Sequence, residues 1–204
     1  MVSQKSHHDR RVQRTRQTLQ HAYLEIVREK LTSKTIRDAE RCFLATTIQE
    51  IAERANVNRG TFYLHFPDKY MLVEAVTREQ FRQVLTDTFP AIPQWDYQSL
   101  HLVALTVLQT FEQKYQHEYQ TSTVLLPLLE RTAHEELTSL LGAWLKAAHS
   151  ERIYAPLETR ARIISWAIFG PAVQWSQEEA KISAEEMAHL ITQTILKGTE
   201  LPST

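Results

Sequence analysis

Cysteine occurs once in the 204 residues, at Cys42, so no disulfide can close within the chain. A lone thiol suits a reducing compartment, and a cytoplasmic protein is expected. Glycine is almost as scarce, with four residues, and no glycine-rich phosphate loop can be found among them. The most apolar stretch, Ile163 to Val173, is too short to span a bilayer and contains Gly170-Pro171, so no membrane partner is expected. The first residues hold His, Asp and Arg in place of an apolar core, and no signal peptide is expected. No segment alternates with the two-residue period of a strand, and no internal repeat is visible. The nine histidines show neither H-E-x-x-H nor zinc-finger spacing; His134 precedes Glu135 and Glu136 without a second histidine at i+4. No metal site and no cofactor are therefore expected. No Ser-His-Asp set or paired-carboxylate site can be singled out, and the chain is read as no enzyme. A helical enzyme using an aromatic pocket stays open as an alternative, as does an activator or interaction module on the same fold.

What is plentiful is leucine, alanine, glutamate and glutamine, a composition that favours helices. An all-α fold is expected, with ample length for a buried core. Charge is unevenly spread. Residues 1–60 hold 12 Lys and Arg against 7 Asp and Glu, while residues 61–204 hold 11 against 17. A basic front and an acidic back suit a chain with one end on phosphates.

The densest signal runs from Thr46 to Lys69, TTIQEIAERANVNRGTFYLHFPDK. Thr47 and Glu50 have the S/T-x-x-E spacing of a capping box, and Ile48, Ile51, Ala52 and Ala55 follow on one helical face. Asn56 can end that helix in a left-handed turn, and Asn58 can cap the next. The second helix should run from Arg59 to about Phe66, stopped by Pro67. Two short helices so joined form a helix-turn-helix, whose second helix enters the major groove of DNA. Phe62 and Phe66 anchor it. Arg59 can fork onto guanine, Gly60 allows close backbone approach, Thr61 and Tyr63 offer hydroxyls, His65 faces sideways, and Lys69 adds positive charge.

This stretch resembles the DNA-binding signature of the TetR family of transcriptional regulators, T-T-x-x-x-I-A-x-x-A-x-V-x-x-G-T-x-Y-x-x-F-x-x-K. The match falls at Thr46, Thr47, Ile51, Ala52, Ala55, Val57, Gly60, Thr61, Tyr63, Phe66 and Lys69. The resemblance covers about an eighth of the chain directly. It implies a three-helix, homeodomain-like N-terminal domain over residues 1–70 and a helical ligand-binding and dimerisation domain over 71–204. It also implies a double-stranded DNA operator as partner and a small inducer whose binding moves the DNA-binding heads apart. The assigned DNA-contacting set is Thr46, Thr47, Asn58, Arg59, Gly60, Thr61, Tyr63, His65 and Lys69.

The remaining segments fit around this unit. Residues 1–9 are polar. Arg10, Arg11, Arg14 and Arg16 lead into a first helix striped with Leu19, Ala22, Tyr23, Ile26 and Val27; the arginines either lie along DNA or form a solvated arm. Residues 31–45 depart from the family as an unusually long connection, read as a mobile loop with room for a helical turn around Ile36–Phe43, or else as an extension of the DNA contact surface. Asp68 should cap a helix from Lys69 to about Phe89, ended by Pro90 and Pro93. Further helices are expected over Leu100–Tyr119, a short or kinked Thr121–Leu129 containing Pro127, Glu130–Ala148, and Pro156 through Trp175. Ser183 and Glu186 form a second capping box for Ala184–Leu196, with Gly198 as stop.

Large aromatics concentrate in the C-terminal half. Phe111, Tyr115, Trp144, Trp166 and Phe169 either line a pocket for an apolar or aromatic small molecule or form an ordinary core. Gly170-Pro171 should kink its helix, beside a ligand or at a dimer contact. Trp166, Phe169, Val173, Leu190, Ile191, Thr194 and Ile195 supply more apolar surface than a lone domain needs, and are assigned to an isologous four-helix homodimer seam. The reading is a ligand-released repressor that binds a palindromic operator as a homodimer.

Overall fold

The computed structural model of the chain describes residues 2–31, 36–89, 95–115, 124–148, 156–178 and 182–197. Every regular element among them is an α-helix: α1 (Val2–Lys30), α2 (Ile36–Ala45), α3 (Ile48–Arg54), α4 (Arg59–His65), α5 (Lys69–Thr88), α6 (Tyr97–Tyr115), α7 (Leu125–Ala147), α8 (Leu157–Gln177) and α9 (Ala184–Lys197). The all-α architecture expected from the composition is the one found. The expected stops at Pro90, Pro93 and Gly198 lie outside the described residues.

The N-terminal head is built on α1, whose Leu19, Ala22, Tyr23 and Ile26 are buried at the expected helical spacing. The helix already includes Val2–Asp9, where only a polar leader was expected. The helix-turn-helix pair α3–α4 packs beneath α1, and the start of α5 completes the head.

The connection over 31–45 is a correction to the sequence reading. Ile36–Ala45 is a ten-residue helix, added ahead of the motif helices. Asp38, Ala39, Cys42 and Phe43 share one face, and burial of Cys42 and Phe43 under α1 holds α2 in place. Phe43 meets the Tyr70 ring edge-on at 5.0 Å, which ties α2 to α5. Four charged residues are interspersed among its apolar ones, and a ten-residue helix is too short to be stable without its tertiary partners.

The long α5 begins at Asp68, whose carboxylate accepts the Met71 N–H at 2.8 Å, as a capping residue should. It buries Leu72, Val73 and Val76 near the head and Phe81 and Leu85 further on. In the body, α7 packs against α5 and α8, and α6 packs against α8 and α9. One continuous apolar core runs from Leu19 and Phe62 in the head to Leu108, Leu137 and Ile168 in the body.

Pro127 does not divide α7. It is the third residue of a single helix, within the first turn, where a backbone N–H has no intrahelical acceptor to lose. The two separate elements expected here are one. The start of α7 lacks a side-chain cap of its own. Glu40 of α2 supplies it, accepting the N–H groups of Val124 at 3.3 Å and Leu125 at 3.1 Å. The inserted helix thus joins head to body. Likewise α8 runs as one helix through Gly170-Pro171. The capping box before α9 is complete: Glu186 N–H donates to Ser183 Oγ at 3.2 Å, and Ser183 N–H to the Glu186 carboxylate at 2.9 Å.

A polar seam adds to the α5–α7 contact. Arg78 donates to Glu136 at 2.6 Å, to Glu135 at 2.7 Å and to Glu74 at 3.0 Å. Arg82 adds a bond to Glu136 at 3.1 Å, and Arg131 one to Glu74 at 2.7 Å. Glu136 is buried, so two guanidinium groups depend on it for their inner partner. Glu136→Ala should cost about 1–3 kcal/mol in urea denaturation, the range for hydrogen bonds to charged groups. Glu135→Ala, at a half-exposed carboxylate, should cost no more than about 1 kcal/mol.

Candidate nucleic-acid interface

Local chemistry sets both motif helices. Thr47 caps α3, its hydroxyl accepting the Glu50 N–H at 3.1 Å. Only this half of the expected capping box forms, because the Glu50 carboxylate is drawn away to Lys30 Nζ at 2.8 Å. Asn56 ends α3 at φ 53°, the left-handed conformation that asparagine tolerates. Asn58 caps α4, its side-chain oxygen accepting the Thr61 N–H at 2.7 Å and the Thr61 hydroxyl at 3.1 Å. A Cβ on Gly60 would sit 3.2 Å from that oxygen, so this glycine keeps room for the cap of its own helix.

Side chains on α4 divide cleanly. Phe62 and Phe66 are buried, while Arg59, Tyr63 and Leu64 face solvent, Leu64 with 83% of its surface exposed. Arg59 donates to the Tyr63 hydroxyl at 3.0 Å, and its guanidinium lies 5.6 Å from the Tyr63 ring centre. The pair therefore stands together on the outer face, with the guanidinium held over the ring.

Thr46 and Lys69, assigned to the interface by sequence, and Arg16, left open there, make contacts within the head. Thr46 is fully buried, and its hydroxyl donates to the Cys42 carbonyl at 2.7 Å. Lys69 points into the head: its ammonium donates to the carbonyls of Phe43 at 2.7 Å, Thr46 at 2.9 Å and Leu44 at 3.2 Å. All three ammonium hydrogens are engaged, so Lys69 neutralises the carbonyl end of α2 and is not free for a phosphate. Burial first, and Lys30 second, hold its pKa below the usual lysine value. Arg16 is also turned inward, donating to the His65 carbonyl at 2.7 Å with its guanidinium 4.3 Å from the Phe66 ring centre. This cation at the C-terminal end of α4 complements the helix dipole. His65 is half-buried, and burial followed by Arg16 holds its imidazole below the ordinary value. Arg11 and Arg14 on α1 remain exposed.

In the body, the aromatic set does not converge on one point. Phe111 and Phe169 are buried and meet edge-on at 5.0 Å. Trp144 is buried elsewhere, against Phe89 at 5.3 Å. Trp166 is 55% exposed and stacks on His134 at 4.2 Å. The Tyr115 side chain lies outside the described residues. Of the residues assigned to a dimer seam, Phe169 and Ile191 are buried in their own core, so neither can face a second subunit. Trp166, Leu190 and Thr194 are exposed, with Val173 and Ile195 partly so. The roles of Glu130 and Glu40, and the aromatic packing of His134, escaped the sequence reading, because they arise only from neighbours distant in sequence. Among the described residues, no group of three or more His, Cys, Asp and Glu is placed to hold a metal ion, and no helix is long and apolar enough to cross a membrane.

The Lys69 clamp is testable by stability alone. Lys69→Met keeps the apolar stem and strips the donors from three carbonyls, and should cost about 1.5–3 kcal/mol in urea denaturation. An unchanged midpoint would show that water satisfies those carbonyls equally well.

Comparison with known proteins agrees with this geometry. Residues 39–76 match the family described as bacterial regulatory proteins, tetR family. A curated relative, the uncharacterized HTH-type transcriptional regulator YxbF of Bacillus subtilis (strain 168), is 31% identical over 77 residues. That match covers 38% of this chain and spans only 18% of the relative's length. Among solved structures, the fatty acid degradation regulator FadR of Bacillus halodurans superposes with a TM-score of 0.53 at 15% identity, covering 91% of this chain and 96% of its own. FadR of Thermus thermophilus, a TetR-family transcriptional repressor solved with lauroyl-CoA, has a TM-score of 0.50 at 21% identity, covering 93% and 97%. Residues 39–76, which hold the α3–α4 motif, are thus similar to the DNA-binding segment of that family, and the chain has the fold of the two FadR structures.

Proposed function

We propose that the chain is a DNA-binding transcriptional regulator, a homodimeric repressor released from a palindromic operator by a small-molecule effector. The observation that carries this reading is the division of α4. Its two phenylalanines are spent on the core, and Arg59, Tyr63 and Leu64 stand outward on a helix with no further partner to pack against among the described residues. Arg59 is assigned to base edges, and Tyr63 and Thr47 to phosphates, with Arg11 and Arg14 adding charge along the duplex.

The dimer is assigned to α8 and α9. Ile163, at 62% exposure, Trp166, Gly170 and Val173 form a stripe on α8 that faces away from its own core. A Cβ built on Gly170 would meet nothing within 4 Å, so the glycine leaves a shallow place where another helix can approach. Leu190, at 52% exposure, and Thr194 continue the apolar surface on α9. A two-fold axis through these helices covers the surface with a second copy and sets two heads on one operator. The effector part takes its form from the Thermus thermophilus repressor of the same fold, whose structure holds lauroyl-CoA. An effector acts by binding better to the arrangement whose heads miss the operator.

A gel shift with the chain's own upstream DNA tests the central point. Arg59→Ala should lose about 1–3 kcal/mol of operator affinity and relax the base preference. Full affinity and unchanged preference in that variant would remove α4 from the groove. Leu190→Glu sets like charges across the two-fold axis, and sedimentation should show monomers with weakened operator binding. A dimer that tolerates both Leu190→Glu and Trp166→Glu would move the seam elsewhere.

A further inference from the structure

Two polar atoms in the body are shut off from solvent and have no hydrogen-bond partner among the described residues: Oε1 of Glu130 and Nε2 of His134. They lie four residues apart on α7, hence side by side on one face. The neighbouring acids of the same helix are treated differently. Glu135 and Glu136 are both paired with Arg78 on the side toward α5. A buried polar group left unpaired is costly, and a buried carboxylate more so. Burial alone pushes the Glu130 carboxyl above its ordinary value, and burial is the main cause that pulls the His134 imidazole below its own.

The surroundings are aromatic. His134 stacks on Trp166 at 4.2 Å and meets Phe169 edge-on at 5.6 Å, and Phe169 in turn meets Phe111 at 5.0 Å. An aromatic wall therefore leads from the half-exposed Trp166 to the buried Phe111, with the His134 ring against it and Glu130 one helical turn earlier on the same face of α7. A carboxylate only accepts hydrogen bonds, and a neutral imidazole protonated at Nδ1 accepts at Nε2. An anionic headgroup would meet like charge here. A cation supplies donors and offsets the buried charge, and its apolar body finds the rings.

We propose that Glu130 and His134 form the polar end of an effector site that takes a small organic amine with an aromatic or alicyclic body, its ammonium donating to the Glu130 carboxylate and to His134 Nε2. This rests on the effector-regulated reading above and narrows it, since an apolar or aromatic small molecule was expected from sequence. It also separates this chain from its fold neighbour bound to lauroyl-CoA.

Three probes with matched bodies test it: 2-phenylethylamine, 2-phenylethanol and 3-phenylpropanoate, titrated at constant pH against tryptophan fluorescence and thermal melting. The amine should bind at least about tenfold tighter than the alcohol, with the acid weakest. Glu130→Gln should erase that preference, weakening the amine at least about tenfold and the alcohol little. The same substitution should raise the melting temperature of the unliganded protein, because it removes the charge from a carboxylate whose Oε1 is buried and unpaired among the described residues. Equal binding of all three probes, preference for the acid, binding of none, or an amine affinity indifferent to Glu130→Gln each overturns the proposal. A lower melting temperature for Glu130→Gln also overturns it, as the carboxylate would then have a structural partner. The gel shift without any probe keeps the two readings apart. Amine preference without operator binding would sink the regulator and leave the site, and operator binding without amine preference would do the reverse.

Discussion

A helix of seven residues such as α4 cannot hold itself together, and much of the head follows from that constraint. A helix this short lies well under the roughly 12–15 residues at which isolated helices become marginal in water. Its order is therefore supplied from outside. Asn58 satisfies its first turn, and burial of Phe62 and Phe66 fixes which face turns inward. Arg16 closes its last turn from α1, on top of the ring that anchors it. The preceding helix is equally short and is braced by Lys30 and Arg54, the latter forked onto Glu29 at 2.7–2.8 Å. The outer face of α4 is left for Arg59, Tyr63 and Leu64 because everything else on the helix is committed.

The body is organised around α7 for a related reason. Its unsatisfied first N–H groups take the carboxylate of Glu40 from the inserted α2. Its Glu135 and Glu136 take Arg78 of α5, and its His134 packs against Trp166 and Phe169. One helix thus touches both elements that carry the head, and touches them through charged contacts that depend on tight geometry. A shift of α7 by even an ångström would lengthen the Glu40 and Arg78 contacts together.

Local hydrogen bonding is the part of this molecule that could be read from sequence. Thr47, Asn58, Asp68 and Ser183 each cap a helix by accepting an N–H three residues on, a reach that depends on no other part of the chain. The apolar stripe of α1 and the inward Phe62 and Phe66 were legible for the same reason, since helical period alone aligns them. Asn56 in its left-handed turn was legible from residue type. Helix α2 was not, because ten residues are too few to hold a helix alone and its stability comes from Phe43 beneath α1. The unity of α7 was missed because proline is a breaker inside a helix and harmless in its first turn, and only the fold shows where the first turn falls.

By itself the sequence determined the all-helical class, the caps, the motif and the outward Arg59, since each follows from residue type and spacing within a few positions. Tertiary structure decided which charges are spent and which are available. Lys69 looks like a phosphate contact until the carbonyl end of α2, more than twenty residues away, is brought onto its ammonium. Trp166 and Phe169 look equivalent until the helices around α8 choose its inner face, and three residues of helix then separate a solvent-facing ring from a buried one. Glu130 looks like any surface acid until α7 is packed and its oxygen is left without water or partner. The physical reason is common to all three: the free energy of a charge or ring depends on what surrounds it, and those surroundings come from segments far apart in the chain.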